Sequence, residues 1–323
     1  MRAVRLHEKG GPEVLRVDDV PEPTPGPDEV LIRVKSVGVN FADHLMRIGA
    51  YPAGELPITP GLEAVGTVER TGSNVLGLQA GQSVLAWTRP TYAELAVAPA
   101  WAVQPAPAGL SFDQLAAIPV AYGTAWHALV TCARLQPSER VLVHAAGSGV
   151  GSAAIALAKA LGAWVIATAG QDWKLERARA LGADATVNYA TQDVAAELQK
   201  STDGQGVHVA LEGVGKATFA ASVASLAPEG RLVIYGAPSG PRVELDTRLP
   251  INRNLTLFGM SITTSPAFRD SIAAFARNAL PWFSSRKLAP IVDRVYPLVE
   301  AGVAHQRMMD RDLFGKLILH VAD

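Results

Sequence analysis

From Ser138 onward the chain alternates short, continuously apolar runs with helix-like segments, and this alternation restricts the fold more than any other feature. Val141 to Val143, Trp164 to Thr168, Ala185 to Asn188, Val207 to Leu211 and Leu232 to Tyr235 read as strands. Ser148 to Leu161, Asp172 to Leu181, Val194 to Lys200 and Ala217 to Leu226 read as the helices between them. Strands that are apolar along their whole length are covered on both faces. That requires a parallel sheet with helices on either side, a doubly wound α/β layout.

The first third has a different texture. Val30 to Val39 alternates apolar and polar residues, as a half-buried strand does. Leu62 to Val68, Ser83 to Trp87 and Tyr92 to Val97 are further short strands, separated by Gly- and Pro-rich stretches such as PEPTPGP at 21–27. Such punctuation predicts a small, partly open barrel. One helix interrupts it, with Asn40 as its cap and Phe41, Leu45 and Ile48 on its buried face. After a strand at Leu255 to Met260 and a long helix over Ala267 to Phe283, strands return at Ile291 to Tyr296 and Lys316 to Val321, flanking a helix around Leu298 to Met308. The expected organisation is therefore a barrel domain over 1–118, a nucleotide-binding domain over 119–286 and a return to the barrel over 287–323, with the binding site in the cleft between domains.

The first strand of the alternating region runs into His144-Ala145-Ala146-Gly147-Ser148-Gly149-Val150-Gly151 and then into a helix. Glycines there let backbone N–H groups and the helix N-terminus approach a pyrophosphate. In register with Gly151, the strict glycine pattern would place glycines at Ala146 and Ser148, so Gly147 and Gly149 flank the expected positions. A dinucleotide site made by Gly147, Ser148, Gly149, Val150 and Gly151 is favoured over a merely structural turn, because the loop joins a strand to a helix. An acid for the ribose would fall near Gly170, where none stands. A carboxylate there would bond a 2′-hydroxyl and repel a 2′-phosphate, so its absence predicts NADP(H). Lys174 and Tyr189 are candidate phosphate partners, against a solvated helix lysine and an aromatic strand end. Asp172 is read as a helix N-cap or a displaced ribose ligand.

Composition excludes several alternatives. Hydrophobic residues make up 49% of the 323 and charged residues 18%, which suits a packed globular chain. A net charge of −1 gives no pull toward nucleic acid or anionic membrane. The single cysteine, Cys132, rules out a disulfide framework or a cysteine-rich zinc lobe and fits a reducing, cytoplasmic setting. The N-terminus MRAVRLHEKGG lacks a signal-peptide core, and the apolar stretch from Ala153 to Ala169 is broken by Lys159 and Gly162, so no membrane span is expected.

Over nearly its whole length the chain resembles the zinc-free, quinone oxidoreductase (zeta-crystallin-like) group of the medium-chain dehydrogenases/reductases. The resemblance is carried by VGVNFADHLMRIGAYP at 37–52, PGLEAVGTVERTGSNV at 60–75 and IPVAYGTAWHAL at 118–129. VLVHAAGSGVGSAAIALAKALGA at 141–163, LERARALGADATVNY at 175–189 and FGKLIL at 314–319 complete it. It implies a GroES-like barrel plus a Rossmann domain. The zinc-dependent relatives hold catalytic metal at positions that here are Asn40, Leu62 and Val120, although Glu63 retains an acid. The resemblance thus implies no metal and a hydride acceptor that is already electrophilic, a quinone or an α,β-unsaturated carbonyl.

By the same resemblance Asn40 is a hydrogen-bond donor to the acceptor and Tyr51 a donor of a hydrogen bond or a proton, with Asp43 orienting its neighbours. The alternatives for these three are a helix cap, a packed loop tyrosine and a first-turn carboxylate. Thr124, Gly236 and Lys316 are expected at the cofactor, and Trp87, Arg89 and Trp126 are weaker candidates for the acceptor wall. Pro90 and Thr91 stand where the group usually has glycines, so that loop is expected to be stiffer. A homodimer formed through the Rossmann domain is implied. The competing readings are a cofactor-binding structural, regulatory or RNA-binding protein, and an enoyl-thioester reductase.

Overall fold

The computed structural model describes residues 1–52 and 54–322. Seven strands fill the first third: β1 (Arg2–Leu6), β2 (Leu15–Asp19), β3 (Glu29–Gly38), β4 (Ala64–Thr71), β5 (Ser83–Ala86), β6 (Leu95–Pro99) and β7 (Val103–Pro105). β1 and β2 form a separate antiparallel ribbon, while β3, β4, β5 and β7 are successive neighbours in one sheet and β6 pairs with β3. The alternation read over 30–39 is realised in β3, where Val30, Ile32 and Val34 are fully buried and Arg33 is exposed.

The alternating region forms β8 (Arg140–Val143), β9 (Trp164–Ala169), β10 (Ala185–Asn188), β11 (Val207–Glu212), β12 (Leu226–Ile234) and β13 (Thr256–Gly259). They make one six-stranded sheet in the order β10-β9-β8-β11-β12-β13, with every neighbouring pair parallel. The order reverses between β8 and β11, and a sheet of this kind binds its ligand at that switch point, beyond the carboxyl ends of the strands. Leu142, Ile166 and Ala210 are fully buried at the centre of this core.

The last strands, β14 (Val292–Pro297) and β15 (Lys316–His320), rejoin the first sheet, β15 lying antiparallel to β3 with Ile318 opposite Gly38. Contacts divide the chain into Met1–Ala121 together with everything from Ile272 onward, and Tyr122–Ser271. The return falls at Ile272, inside the helix Phe268–Asn278, rather than at 287. A crossover inside a helix has no Gly or Pro signal to betray it.

Local differences have local causes. The long helix expected over 267–283 is two helices, Phe268–Asn278 and Pro281–Ser284, because Pro281 has no N–H to continue the first. The helix Phe41–Arg47 buries Asp43, Met46 and Arg47, while Ile48 is 44% exposed. Polar partners inside the barrel, described below, turn it away from its apolar stripe. β1, β2, β7 and the helix Arg248–Arg253 were not expected. Among the described residues one helical run, Phe112–Cys132, has the length and composition to cross a membrane, but 83% of its most apolar 18 residues are buried inside the protein, as in a core helix.

Candidate active site

The glycine loop is built as the dinucleotide reading requires. After β8, Ala145 takes a left-handed φ of 52° and turns the chain toward the helix Gly149–Ala160. Ser148 is the helix cap, its Oγ accepting the Gly151 N–H at 2.9 Å. A Cβ on Gly151 would stand 2.3 Å from the Ala145 carbonyl oxygen, so only glycine lets the first helical turn close over the loop. The first-turn N–H groups of that helix, at Gly149 and Val150, have no intrahelical acceptor and suit a phosphate.

At the end of β9, Gly170 lies under the Tyr189 ring, and a Cβ there would meet Tyr189 Cε2 at 2.8 Å and its hydroxyl at 3.0 Å. Lys174 is half-buried in the following helix, with its ammonium 5.3 Å from the Trp173 ring centre. Asp172 is not the cap of that helix. Gln171 holds the cap position, and Asp172 is the first helical residue, accepting a 2.6 Å hydrogen bond from the Asn188 amide. The carboxylate nearest Gly170 in sequence is thus engaged with β10. These residues fit a nucleotide that carries a 2′-phosphate.

At the end of β11 the chain buries an acid that sequence reading passed over. Glu212 accepts from Val214 N, Gly215 N, Thr218 Oγ1 and Ser222 Oγ at 2.6–2.9 Å. Ser222 Oγ also lies 3.0 Å from His144 Nε2, whose Nδ1 pairs with Thr168 Oγ1 at 2.8 Å. Burial pushes His144 down to about 4, against the pull of the Glu212 charge. The network joins the ends of β8, β9 and β11 where their loops begin. Gly236 follows β12 and presses on the neighbouring loop, since a Cβ there would come 2.9 Å from Gly213 O. Thr124, in the helix Pro119–Trp126, is buried.

In the barrel domain, Asn40, Asp43, Glu63, Tyr92, His305 and Lys316 form one buried polar cluster. Lys316 Nζ lies 2.7 Å from Glu63 Oε1 and 2.5 Å from Asn40 Oδ1. The Asn40 amide nitrogen donates to Gly38 O at 3.1 Å and to Glu63 Oε1 at 3.0 Å. Both amide hydrogens are therefore engaged inside the domain, which corrects the expectation that one points at an acceptor. The other Glu63 oxygen accepts Val120 N–H at 2.7 Å. Asp43 accepts from Asn40 N, Gly61 N and the Tyr92 hydroxyl at 2.8, 3.0 and 3.2 Å. Burial raises its carboxyl to about 6, opposed by those two backbone N–H groups and by Lys316. Lys316, expected at the cofactor, has its ammonium engaged by Glu63 and Asn40. Its sequence signal was the FGKLIL segment alone, and its partners lie on remote segments.

Tyr51 lies in the turn after the helix Phe41–Arg47, its N–H bonded to Leu45 O at 3.1 Å. It lines a groove of about 490 Å³ with Lys9, Met46, Leu56 and Ile58. Of the weaker wall candidates, Trp87 is buried, donates from Nε1 to Pro119 O at 2.6 Å and meets Phe275 edge-on, so it packs the barrel. Trp126 is also buried, and Arg89 is exposed.

Comparison with known proteins agrees with this architecture. Residues 26–108 match the alcohol dehydrogenase GroES-like domain and residues 149–277 the zinc-binding dehydrogenase domain. These two together define a medium-chain dehydrogenase/reductase. The chain is 33% identical to a 2-haloacrylate reductase of a Burkholderia species, covering 98% of each. It is also 33% identical to a quinone oxidoreductase of Pseudomonas aeruginosa, over 98% of this chain and 99% of that one. The crystal structure of Escherichia coli quinone oxidoreductase with NADPH superposes with a TM-score of 0.92 at 30% identity, covering 99% of this chain and 100% of that one. The chain belongs to the quinone oxidoreductase family.

A zinc-binding dehydrogenase domain implies a metal, and the residues do not fit one. Leu62 offers no donor, and the Lys316 ammonium already sits on Glu63. Among the described residues no three His, Cys, Asp or Glu side chains gather as a metal site.

Proposed function

We propose that this chain reduces quinones and activated alkenes such as α,β-unsaturated carbonyls with hydride from NADPH, without a metal in the step. The observation that carries the reading is the Asn40–Glu63–Lys316 cluster, where an ammonium is seated on the one retained acid. Alcohol oxidation needs a group that strips a hydroxyl proton, which a metal supplies by lowering the pKa of a bound oxygen. A quinone or enone is electrophilic already and needs only hydrogen bonds to its oxygen as charge develops there. The names of the relatives, a quinone oxidoreductase and a 2-haloacrylate reductase, both describe reduction of electrophilic unsaturated compounds.

The cofactor, when bound, supplies hydride to the electrophilic carbon. Gly149, Val150 and the Ser148-capped turn would hold its pyrophosphate. Lys174 and Tyr189, beside Gly170, would donate to its 2′-phosphate, and Thr124 and Gly236 would contact its nicotinamide half. In the barrel domain Tyr51 donates a hydrogen bond to the acceptor oxygen, and solvent supplies the proton. The acceptor is a small molecule rather than nucleic acid or membrane, and the protein works in the cytoplasm. Two copies pair through β13, the edge strand of the six-stranded sheet.

The test is NADPH consumption with a panel of simple quinones and enones, beside NADP⁺ reduction with simple alcohols. Turnover of the first group and not the second is expected. NADPH binding with no turnover of any acceptor would favour a cofactor-binding structural or regulatory protein instead. Sedimentation of the purified chain checks the dimer.

A further inference from the structure

The helix Phe41–Arg47 is clamped by a buried cation at each end. At its start stand Lys316 and Glu63, with side chains 5% and 0% exposed. At its end Arg47, fully buried, donates to Gly10 O and to His44 Nδ1, while Gly10 N–H returns a bond to Arg47 O at 3.2 Å. A seven-residue helix is too short to hold itself. Its geometry is therefore set by these ends. The turn that carries Tyr51 hangs directly from it, with Ala50 N–H and Tyr51 N–H both bonded to Leu45 O.

We propose that Lys316 is a positioning residue for the reduction: from the last strand, its ammonium fixes the Asn40 side chain and, through the helix, the Tyr51 turn that meets the acceptor. The role of Tyr51 in this statement rests on the function proposed above. Three observations support the inference. The Asn40 amide has one orientation available, because its oxygen faces an ammonium and its nitrogen a carboxylate and a carbonyl. Asn40 is also the residue at which the helix begins, its own N–H bonded to Asp43. Finally, β3 makes room for the cation: a Cβ on Gly38 would stand 2.3 Å from Glu63 Oε1, 2.4 Å from Lys316 Cε and 2.9 Å from Ala116 O. A buried ion pair is a poor source of net stability, since taking two charges out of water offsets their attraction. A pair accommodated so closely is better explained by the geometry it imposes.

The test compares Lys316→Met with Lys316→Met/Glu63→Gln. The single variant leaves Glu63 as a buried, unpaired carboxylate and risks misfolding. The double variant removes both charges and keeps the fold assessable. Three readouts are taken on the whole protein: NADPH affinity by fluorescence, KM and kcat for a quinone, and amide hydrogen exchange across residues 40–52. The double variant should bind NADPH within about twofold of wild type and lose roughly tenfold or more in kcat/KM for the quinone, mainly through kcat, because the Tyr51 hydrogen bond strengthens as charge develops on the acceptor oxygen. Faster exchange should be confined to 40–52. Wild-type exchange and wild-type kcat/KM in the double variant would overturn the proposal. So would loosening spread over the whole domain, which marks a merely structural pair. If wild type itself turns over no acceptor, the proposed function fails. The exchange pattern then still decides whether Lys316 orders the helix and turn.

Discussion

The Tyr189 ring covers Gly170 so closely that a Cβ at 170 would stand 2.8 Å from Tyr189 Cε2. The space that a ribose-binding acid would occupy is filled by an aromatic hydroxyl, with Lys174 in the helix that follows. Tyr189 is 48% exposed, so its ring can swing aside for a larger residue. A charge-assisted hydrogen bond is worth roughly 1.5–3 kcal/mol, equivalent to about a 10- to 100-fold difference in affinity. Lys174→Ala should weaken NADPH by about that factor and leave NADH nearly unchanged, and Gly170→Asp should shift preference toward NADH. Fluorescence titration of both cofactors checks this, and equal affinities in wild type would sink it.

Asn40 and Tyr51 should separate when mutated. Tyr51→Phe removes a donor on an exposed turn and should lower kcat/KM by about tenfold, less than the roughly 10²–10³ of a strongly organised oxyanion site, because quinones are reactive. Asn40→Ala leaves Lys316 and Glu63 short of a buried partner, which costs about 1–3 kcal/mol of stability as well as rate. Urea unfolding alongside kinetics distinguishes them. An Asn40→Ala protein as stable as wild type would contradict the hydrogen bonds seen here.

Activity should persist in chelator. A second cation at Glu63 would have to displace the Lys316 ammonium that lies 2.7 Å from it. Elemental analysis of the purified protein, with assays before and after prolonged chelation, provides the check. One tightly held zinc per chain, lost together with activity, would refute the expectation.

Acid should destabilise the fold. Burial, helped by the nearby Arg47 and His44 charges, pushes His305 down to about 3, and His144 is held down to about 4. An unfolded imidazole titrates near 6.5. Between these values the unfolded chain binds protons that the folded chain does not. The stability these residues contribute is complete above pH about 6.5 and is lost as pH falls through the folded values. Asp43, raised to about 6, acts in the opposite sense: it adds stability below pH about 4 and loses it as pH rises through 6. Two imidazoles outweigh one carboxyl, so the net trend is loss on acidification. His305→Gln should remove roughly 3 kcal/mol of the change between pH 6.5 and 4. Denaturation midpoints across that range measure it, and an unchanged slope in the variant would exclude His305 as a source.

Gly38→Ala should be among the most damaging single-methyl additions in the barrel. The added Cβ would meet Glu63 Oε1, Lys316 Cε and Ala116 O, all at 2.9 Å or less. Overpacking of this kind costs about 1–3 kcal/mol, and here it also spreads the ion pair. Thermal melting compared with Gly259→Ala, where nothing lies within 4 Å of the new atom and φ is not positive, isolates the packing effect.

The doubly wound domain is dictated by residue order, because continuous apolar strands such as Val141 to Val143 and the helices between them leave no other way to cover both faces of a sheet. Residue order also determined the glycine loop and the missing acid at Gly170, since both are read from residues adjacent along the chain. β1, β2 and β7 were not legible, for they carry no continuous apolar run, and they exist through pairing, β1 with β2 and β7 with β5. The buried face of Phe41–Arg47 was misread because apolar spacing says nothing of the polar partners that Asp43 and Arg47 find across the barrel. The Asn40–Glu63–Lys316 cluster, by contrast, exists only in the folded chain. β15 is the last strand of the chain, and only its pairing beside β3 brings Lys316 to the carboxylate of Glu63. No local pattern encodes that meeting, because an ion pair records where two strands lie in space rather than where they fall in the chain.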